Sequence, residues 1–138
     1  MITRNDLAGE WELQDFTLEK NDKIPTSWRE HCTGLLIYTL SGHMSVSINS
    51  KITGDKTLSV NKFESILFYS GTYEVDRNLI MHNVMNASDP ERIGKKLIRE
   101  SIREGDSLIL IGRGEFGVAK LIWKRVKYHS ELKNTFKP

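Results

Sequence analysis

His82, Arg99 and Tyr73 are the residues whose chemistry stands out from their surroundings in this chain. The stretch Tyr69-Ser-Gly-Thr-Tyr-Glu-Val-Asp-Arg-Asn-Leu-Ile-Met-His82 reads as a strand, a tight turn at Arg77-Asn78 and a returning strand. With a two-residue turn, Asp76 faces Leu79, Val75 faces Ile80 and Tyr73 faces His82. One face then carries Tyr73, Val75, Ile80, His82 and Val84, and the other Thr72, Glu74, Leu79 and Met81. A phenol and an imidazole on a mainly apolar face place polar groups in a pocket, and an imidazole titrates near neutrality.

The turns carry this register onward. A loop at Asp89-Pro90 is expected to set His82 opposite Arg99, and a turn at Glu104-Gly105 to set Arg99 opposite Leu110. One surface becomes a band of Tyr73, Val75, Ile80, His82, Val84, Leu97, Arg99, Ser101, Leu108, Leu110, Leu121 and Trp123. Glu74, Lys96, Glu100, Lys120 and Lys124 sort to the opposite, wet side. His82 and Arg99 are thus left inside. A guanidinium buried without partners costs several kcal/mol, so Arg99 needs acceptors. Either it completes a structural hydrogen-bond cluster, or it forms a polar wall in a ligand cavity.

The elements that position these groups are short strands. Residues 4 to 8 suggest one helical turn capped by Asn5 or Asp6. Gly9 to Leu13 opens a strand with Trp11 and Leu13 on one face. Residues 19 to 34 read as a long loop with Trp28 as an anchor, followed by a strand over Leu35 to Leu40. His43 to Ile48 alternates Met44, Val46 and Ile48 against serines. Residues 49 to 57 read as connecting chain, and the spacing of apolar residues over 58–68 predicts a short helix. Further strands follow over 94–102, 107–111 and 118–126, with Gly112 and Gly114 flanking a turn. About eight strands joined by tight turns predict an all-β, antiparallel up-and-down barrel with one short helix. The whole of 1–138 is read as one domain, and residues 128–138 as a mobile basic tail.

Composition narrows the function classes. Of the 138 residues, 28% are charged and 38% hydrophobic, and the net charge is +2, too small to argue for nucleic acid. Cys32 is the one cysteine, no apolar run approaches the ~20 residues of a bilayer span, and the N-terminus lacks an apolar signal core. A cytoplasmic protein with no membrane span is the expectation. His31, His43, His82 and His129 share no ligand-like spacing with one another or with Cys32, so no metal is expected. Gly112-Arg-Gly-Glu-Phe-Gly117 precedes a strand rather than a helix, which makes it a turn and not a phosphate loop. On the outer face, Met81, Ile98, Ile109, Ile111 and Ile122 would form an apolar patch. Either a homodimer buries it, or the helix or the tail does.

Gly9-Glu-Trp11 with Leu13, Gly34-Leu-Leu-Ile-Tyr-Thr39, Gly42-His-Met-Ser-Val46, Tyr69-Ser-Gly-Thr-Tyr-Glu-Val75, His82, Arg99 and Leu121-Ile-Trp-Lys-Arg-Val126 resemble the bacterial lipocalin-like domain family. The resemblance spans about residues 6 to 127. It implies a small barrel with a central cavity, a fold that serves carriers of small apolar molecules and cofactor-free cyclases alike. It also implies that Trp11 stacks under a late arginine, Arg125, at the barrel base. His82-Asn83 departs from the paired histidines of many relatives, and Pro90-Glu-Arg-Ile-Gly94 lacks the aromatic residue usual before this glycine.

Two functions follow as expectations. The first is binding of a small, mainly apolar molecule with a polar end. Tyr73, His82 and Arg99 would orient that end, with Tyr38, Met44, Val84, Leu97, Leu110 and Trp123 as further ligand-binding residues. The second is a cofactor-free isomerase or cyclase in the same cavity, with His82 moving a proton and Arg99 and Tyr73 stabilising oxyanion charge. Neither needs a cofactor.

Overall fold

In the computed structural model, residues 1–19, 26–27, 32–50, 66–114 and 117–127 are described. The elements run α1 (Arg4–Leu7), β1 (Gly9–Glu19), β2 (Thr26–Ser27), β3 (Cys32–Tyr38), β4 (His43–Ser50), β5 (Ile66–Asp76), β6 (Leu79–Ala87), a 3₁₀ turn (Pro90–Arg92), β7 (Lys96–Glu104), β8 (Ser107–Gly114) and β9 (Gly117–Arg125). Each strand pairs antiparallel with the next from β3 to β9, and β1 pairs with both β3 and β9. Eight strands therefore close an up-and-down barrel, and β2 is a two-residue spur on β1. Closure removes the unpaired edges that an open sheet would expose.

The central hairpin has the expected register, with Asp76 opposite Leu79, Val75 opposite Ile80 and Tyr73 opposite His82. Arg77 takes the left-handed conformation (φ 58°) that such a turn requires. The next two registers differ from expectation: Arg99 lies opposite Ile80, Leu97 opposite His82, and Ser101 opposite Leu110. Both slips are by two residues. Because strand side chains alternate with period two, every residue keeps its face. Tyr73, Ile80, His82, Val84, Ser101, Leu108, Leu110 and Trp123 are buried, while Glu74, Lys96, Lys120 and Lys124 stay exposed.

Several boundaries need correction. The helix expected over 58–68 is strand from Ile66 onward, and its earlier part lies outside the described residues, as do Trp28 and the tail from 128. The short helix is instead α1, capped by Thr3 rather than Asn5 or Asp6. The Thr3 side chain accepts from the Asp6 backbone, and the Asp6 carboxylate accepts from the Thr3 N–H. Cys32 opens β3 rather than sitting in a loop, Asn49 and Ser50 extend β4, and β1 continues to Glu19. Gly112 lies inside β8, not beside a turn.

One end of the barrel is filled. Leu7 of α1 is fully buried and packs in one core cluster with Trp11, Tyr38, Tyr73, Ile80 and Leu108. The Trp11 indole donates to the Leu7 carbonyl at 2.9 Å. The Arg125 guanidinium covers the Trp11 ring at 4.2 Å and donates to the carbonyls of Ala8 and Asp6. That is the stacking the resemblance implied. On the outer face, Met81 lies opposite Ile98, and Ile109 opposite both Ile102 and Ile122. Ile98 is 54% exposed, whereas Met81, Ile109, Ile111 and Ile122 are half-buried.

Candidate functional site

Away from α1 the barrel is hollow. A cavity of about 270 Å³ is walled by Phe16, Leu18, Leu36, Val46, Ile48, Leu67, Leu110, Ala119, Leu121 and Trp123, with Tyr69, His82, Arg92, Arg99 and Gly112 among them. Two local irregularities shape this wall. A register shift between Leu13 and Asp15 lets β1 change phase, so that Trp11 and Leu13 face the base and Phe16 and Leu18 face the cavity. A second shift sits at Ser70 and Gly71, where β6 fits Met85 as an extra residue between Val84 and Asn86. There a Cβ on Gly71 would stand 1.8 Å from the Asn83 carbonyl oxygen, so only glycine fits.

His82 is held from both sides. The Tyr38 hydroxyl lies 2.6 Å from its Nε2 and the Tyr69 hydroxyl 2.8 Å from its Nδ1. Burial, with the positive charge of Arg99 as the second cause, lowers its pKa to about 3. The imidazole is therefore neutral across the physiological range. Burial also pushes the Tyr38 and Tyr69 hydroxyls upward, and for Tyr69 the neighbouring Arg99 and Arg92 charges pull the other way. Both tyrosines are thus protonated phenols.

Arg99 reaches the cavity from β7 and is half-buried. Its Nη1 donates to the Ile98 carbonyl at 3.2 Å, and no carboxylate among the described residues pairs with it. Gly112 provides its space, since a Cβ there would lie 2.9 Å from Arg99 Nη1. Arg92, on the 3₁₀ turn, joins the wall with its guanidinium 6.0 Å from the Tyr69 ring centre. Trp123 contributes the one buried side-chain polar atom that lacks a hydrogen-bond partner among the described residues, its indole Nε1.

Of the residues expected to bind a ligand, His82, Arg99, Leu110 and Trp123 line the cavity. Tyr38, Met44 and Val84 are buried away from its lining, and Leu97 is half-buried. Tyr73 points to the filled end, donating to the Thr39 carbonyl at 2.6 Å under the Arg4 guanidinium, and does not meet Arg99. Its ring instead packs edge-on against Tyr38, with centroids 4.8 Å apart. His43 sits exposed near the turn at residues 39–42, with Nδ1 3.3 Å from the Ser41 hydroxyl. Tyr69, Phe16, Leu18, Arg92 and Gly112 were not foreseen. For Tyr69 the signal was present, because period two puts it on the face of Tyr73.

A profile of the lipocalin-like domain matches residues 8–126. The chain belongs to the lipocalin-like domain family. No curated protein matches this lipocalin-like domain. Among solved structures, it is similar to a redesigned β-barrel (10% identity, covering 90% of this chain and 95% of that one, TM-score 0.49). It is also similar to an uncharacterized protein from Bacteroides eggerthii (10% identity, 88% and 100% covered, TM-score 0.49). A third is described as a REP1-NXSQ fatty acid transporter (17% identity, 91% and 99% covered, TM-score 0.46). Among the described residues of the domain, no three of His, Cys, Asp and Glu gather as they would to hold a metal, and no helix is long and apolar enough to cross a membrane.

Proposed function

We propose that this lipocalin-like domain binds a small, mainly apolar molecule with a polar end inside its barrel. The observation that carries this reading is the cavity itself, about 270 Å³ of space walled mostly by leucine, isoleucine, valine and aromatic side chains with arginines at one place. Its size sits just below the ~300–1,000 Å³ of drug-sized sites, which favours a compact or slender ligand. Burial of each methylene against such walls contributes ~0.8 kcal/mol. The polar groups then fix orientation.

The isomerase or cyclase alternative fits His82 poorly. A general base must have a free nitrogen and a pKa near the working pH. Here both ring nitrogens face tyrosine hydroxyls and burial has taken the pKa down to about 3.

Native mass spectrometry of protein purified from its own host, with extraction of whatever is bound, tests the carrier reading. A reproducible small molecule is the expected result, and Arg99→Leu is expected to release it without changing the thermal melt. If neither a native ligand nor saturable uptake of the neutral dye N-phenylnaphthylamine is seen, the carrier reading is lost. An Arg99→Leu variant that unfolds would instead make Arg99 a structural residue.

A further inference from the structure

The polar groups on the cavity wall are uneven in kind. Arg92 and Arg99 bring two positive charges, Trp123 brings an unpartnered indole N–H, and Tyr69 brings a hydroxyl. Among the described residues, no aspartate or glutamate lines the cavity. Arg92 has an acidic neighbour only in Asp89, at 3.9 Å on the surface, and Arg99 has none among the described residues. A wall that offers donors and positive charge but no anionic acceptor selects the opposite in its occupant.

The hydrogen-bond chain through His82 sharpens this. A neutral imidazole has one N–H and one acceptor nitrogen, so one of its two tyrosines donates and the other accepts. The Tyr38 hydroxyl is deeply buried and has His82 Nε2 as its partner at 2.6 Å. Were Tyr38 to accept from Nε2, its own proton would be buried without an acceptor, at a real cost. Tyr38 therefore donates to Nε2, the ring proton sits on Nδ1, and Nδ1–H donates to the Tyr69 oxygen 2.8 Å away. The Tyr69 proton is then left over. Tyr69 is on the cavity wall, so that proton is available to the occupant.

We propose that the molecule held in this cavity ends in a carboxylate, received by the Tyr69 hydroxyl and the Arg99 guanidinium. The proposal rests on the carrier reading above and names the chemistry of the ligand's polar end. His82 and Tyr38 act as positioning residues, since they fix the direction of the Tyr69 O–H without touching the ligand. Gly112 serves the same end by leaving room for Arg99.

Displacement of bound N-phenylnaphthylamine by decanoate, decanol and decylammonium tests it. Decanoate is expected to compete at least about tenfold better than decanol, and decylammonium worst, as a charge-assisted hydrogen bond commands. Tyr69→Phe and Arg99→Leu are each expected to weaken decanoate about tenfold or more relative to decanol and the dye measured on the same variant. Nitrogen NMR of His82 is expected to show the proton on Nδ1 in the wild type, which checks the direction given to the Tyr69 O–H. Equal competition by decanoate and decanol, with both variants silent, would overturn the carboxylate assignment and leave the carrier standing. Dye that never binds would remove the carrier reading instead, and a proton found on Nε2 would overturn the role given to Tyr69.

Discussion

At the scale of single residues, His82 governs both the chemistry and the pH response. Its pKa of about 3 in the fold lies far below the ordinary 6.5, with burial as the main cause. The unfolded chain therefore binds a proton that the folded chain refuses between pH 6.5 and 3. Stability from this ring is fully present above about pH 6.5 and falls as the medium is acidified, by about 1.4 kcal/mol per pH unit. Unfolding free energies from urea titrations between pH 7.5 and 4.5 are expected to drop by roughly 3 kcal/mol on this account. The imidazole resonances should not titrate in the native protein over that range. A ring that titrates near 6.5 would mean that the Tyr38 and Tyr69 contacts do not persist in solution. The sequence places a histidine inside through alternation alone. It does not reveal the two tyrosines that claim its nitrogens, because they come from β3 and β5, and their meeting depends on barrel curvature and not on spacing.

At the scale of elements, alternation proved robust where exact register did not. The β6–β7 and β7–β8 pairings are each displaced by two residues from the reading of the turns, yet Arg99 still faces inward. What the displacement changed is the neighbour. Arg99 now lies beside Gly112 of β8 and away from Tyr73, which belongs to the filled end. The phase change in β1 was legible only as apolar residues at 11, 13, 16 and 18, a skip that simple alternation cannot accommodate. Gly112 reads as turn chemistry by residue type, and only its neighbour across the strands explains it. Gly112→Ala makes that explanation testable. The added methyl meets the end of a flexible side chain at 2.9 Å, so the guanidinium moves and the backbone does not. The expected cost in stability is below ~1 kcal/mol, read by denaturant unfolding. Affinity for an anionic ligand should nonetheless fall severalfold. Severe destabilisation with unchanged binding would mean that Arg99 is fixed in place and that the glycine serves packing alone.

At the scale of the whole molecule, the barrel divides into a filled half and a hollow half, and the two should answer differently to mutation. Alpha-helical plug, tryptophan and arginine close the first: Leu7 is fully buried, Trp11 hydrogen-bonds its carbonyl, and Arg125 covers Trp11 while tying down Asp6 and Ala8. The second is bounded by residues such as Leu121, which pack on one side and face empty volume on the other. Truncating a leucine costs the transfer of its methyl groups plus a penalty for the void left behind. Leu7→Ala opens a new void among tightly packed neighbours and is expected to cost about 2–5 kcal/mol. Leu121→Ala only enlarges a space already present. It is expected to cost roughly half as much or less, because the side chain has fewer contacts to lose. Binding should run the other way, with Leu121→Ala shifting the affinity for N-phenylnaphthylamine and Leu7→Ala leaving it unchanged at temperatures where both variants are folded. Equal losses of stability would show that the hollow half closes up in solution, and a binding defect in Leu7→Ala would show that the base and the cavity are mechanically one.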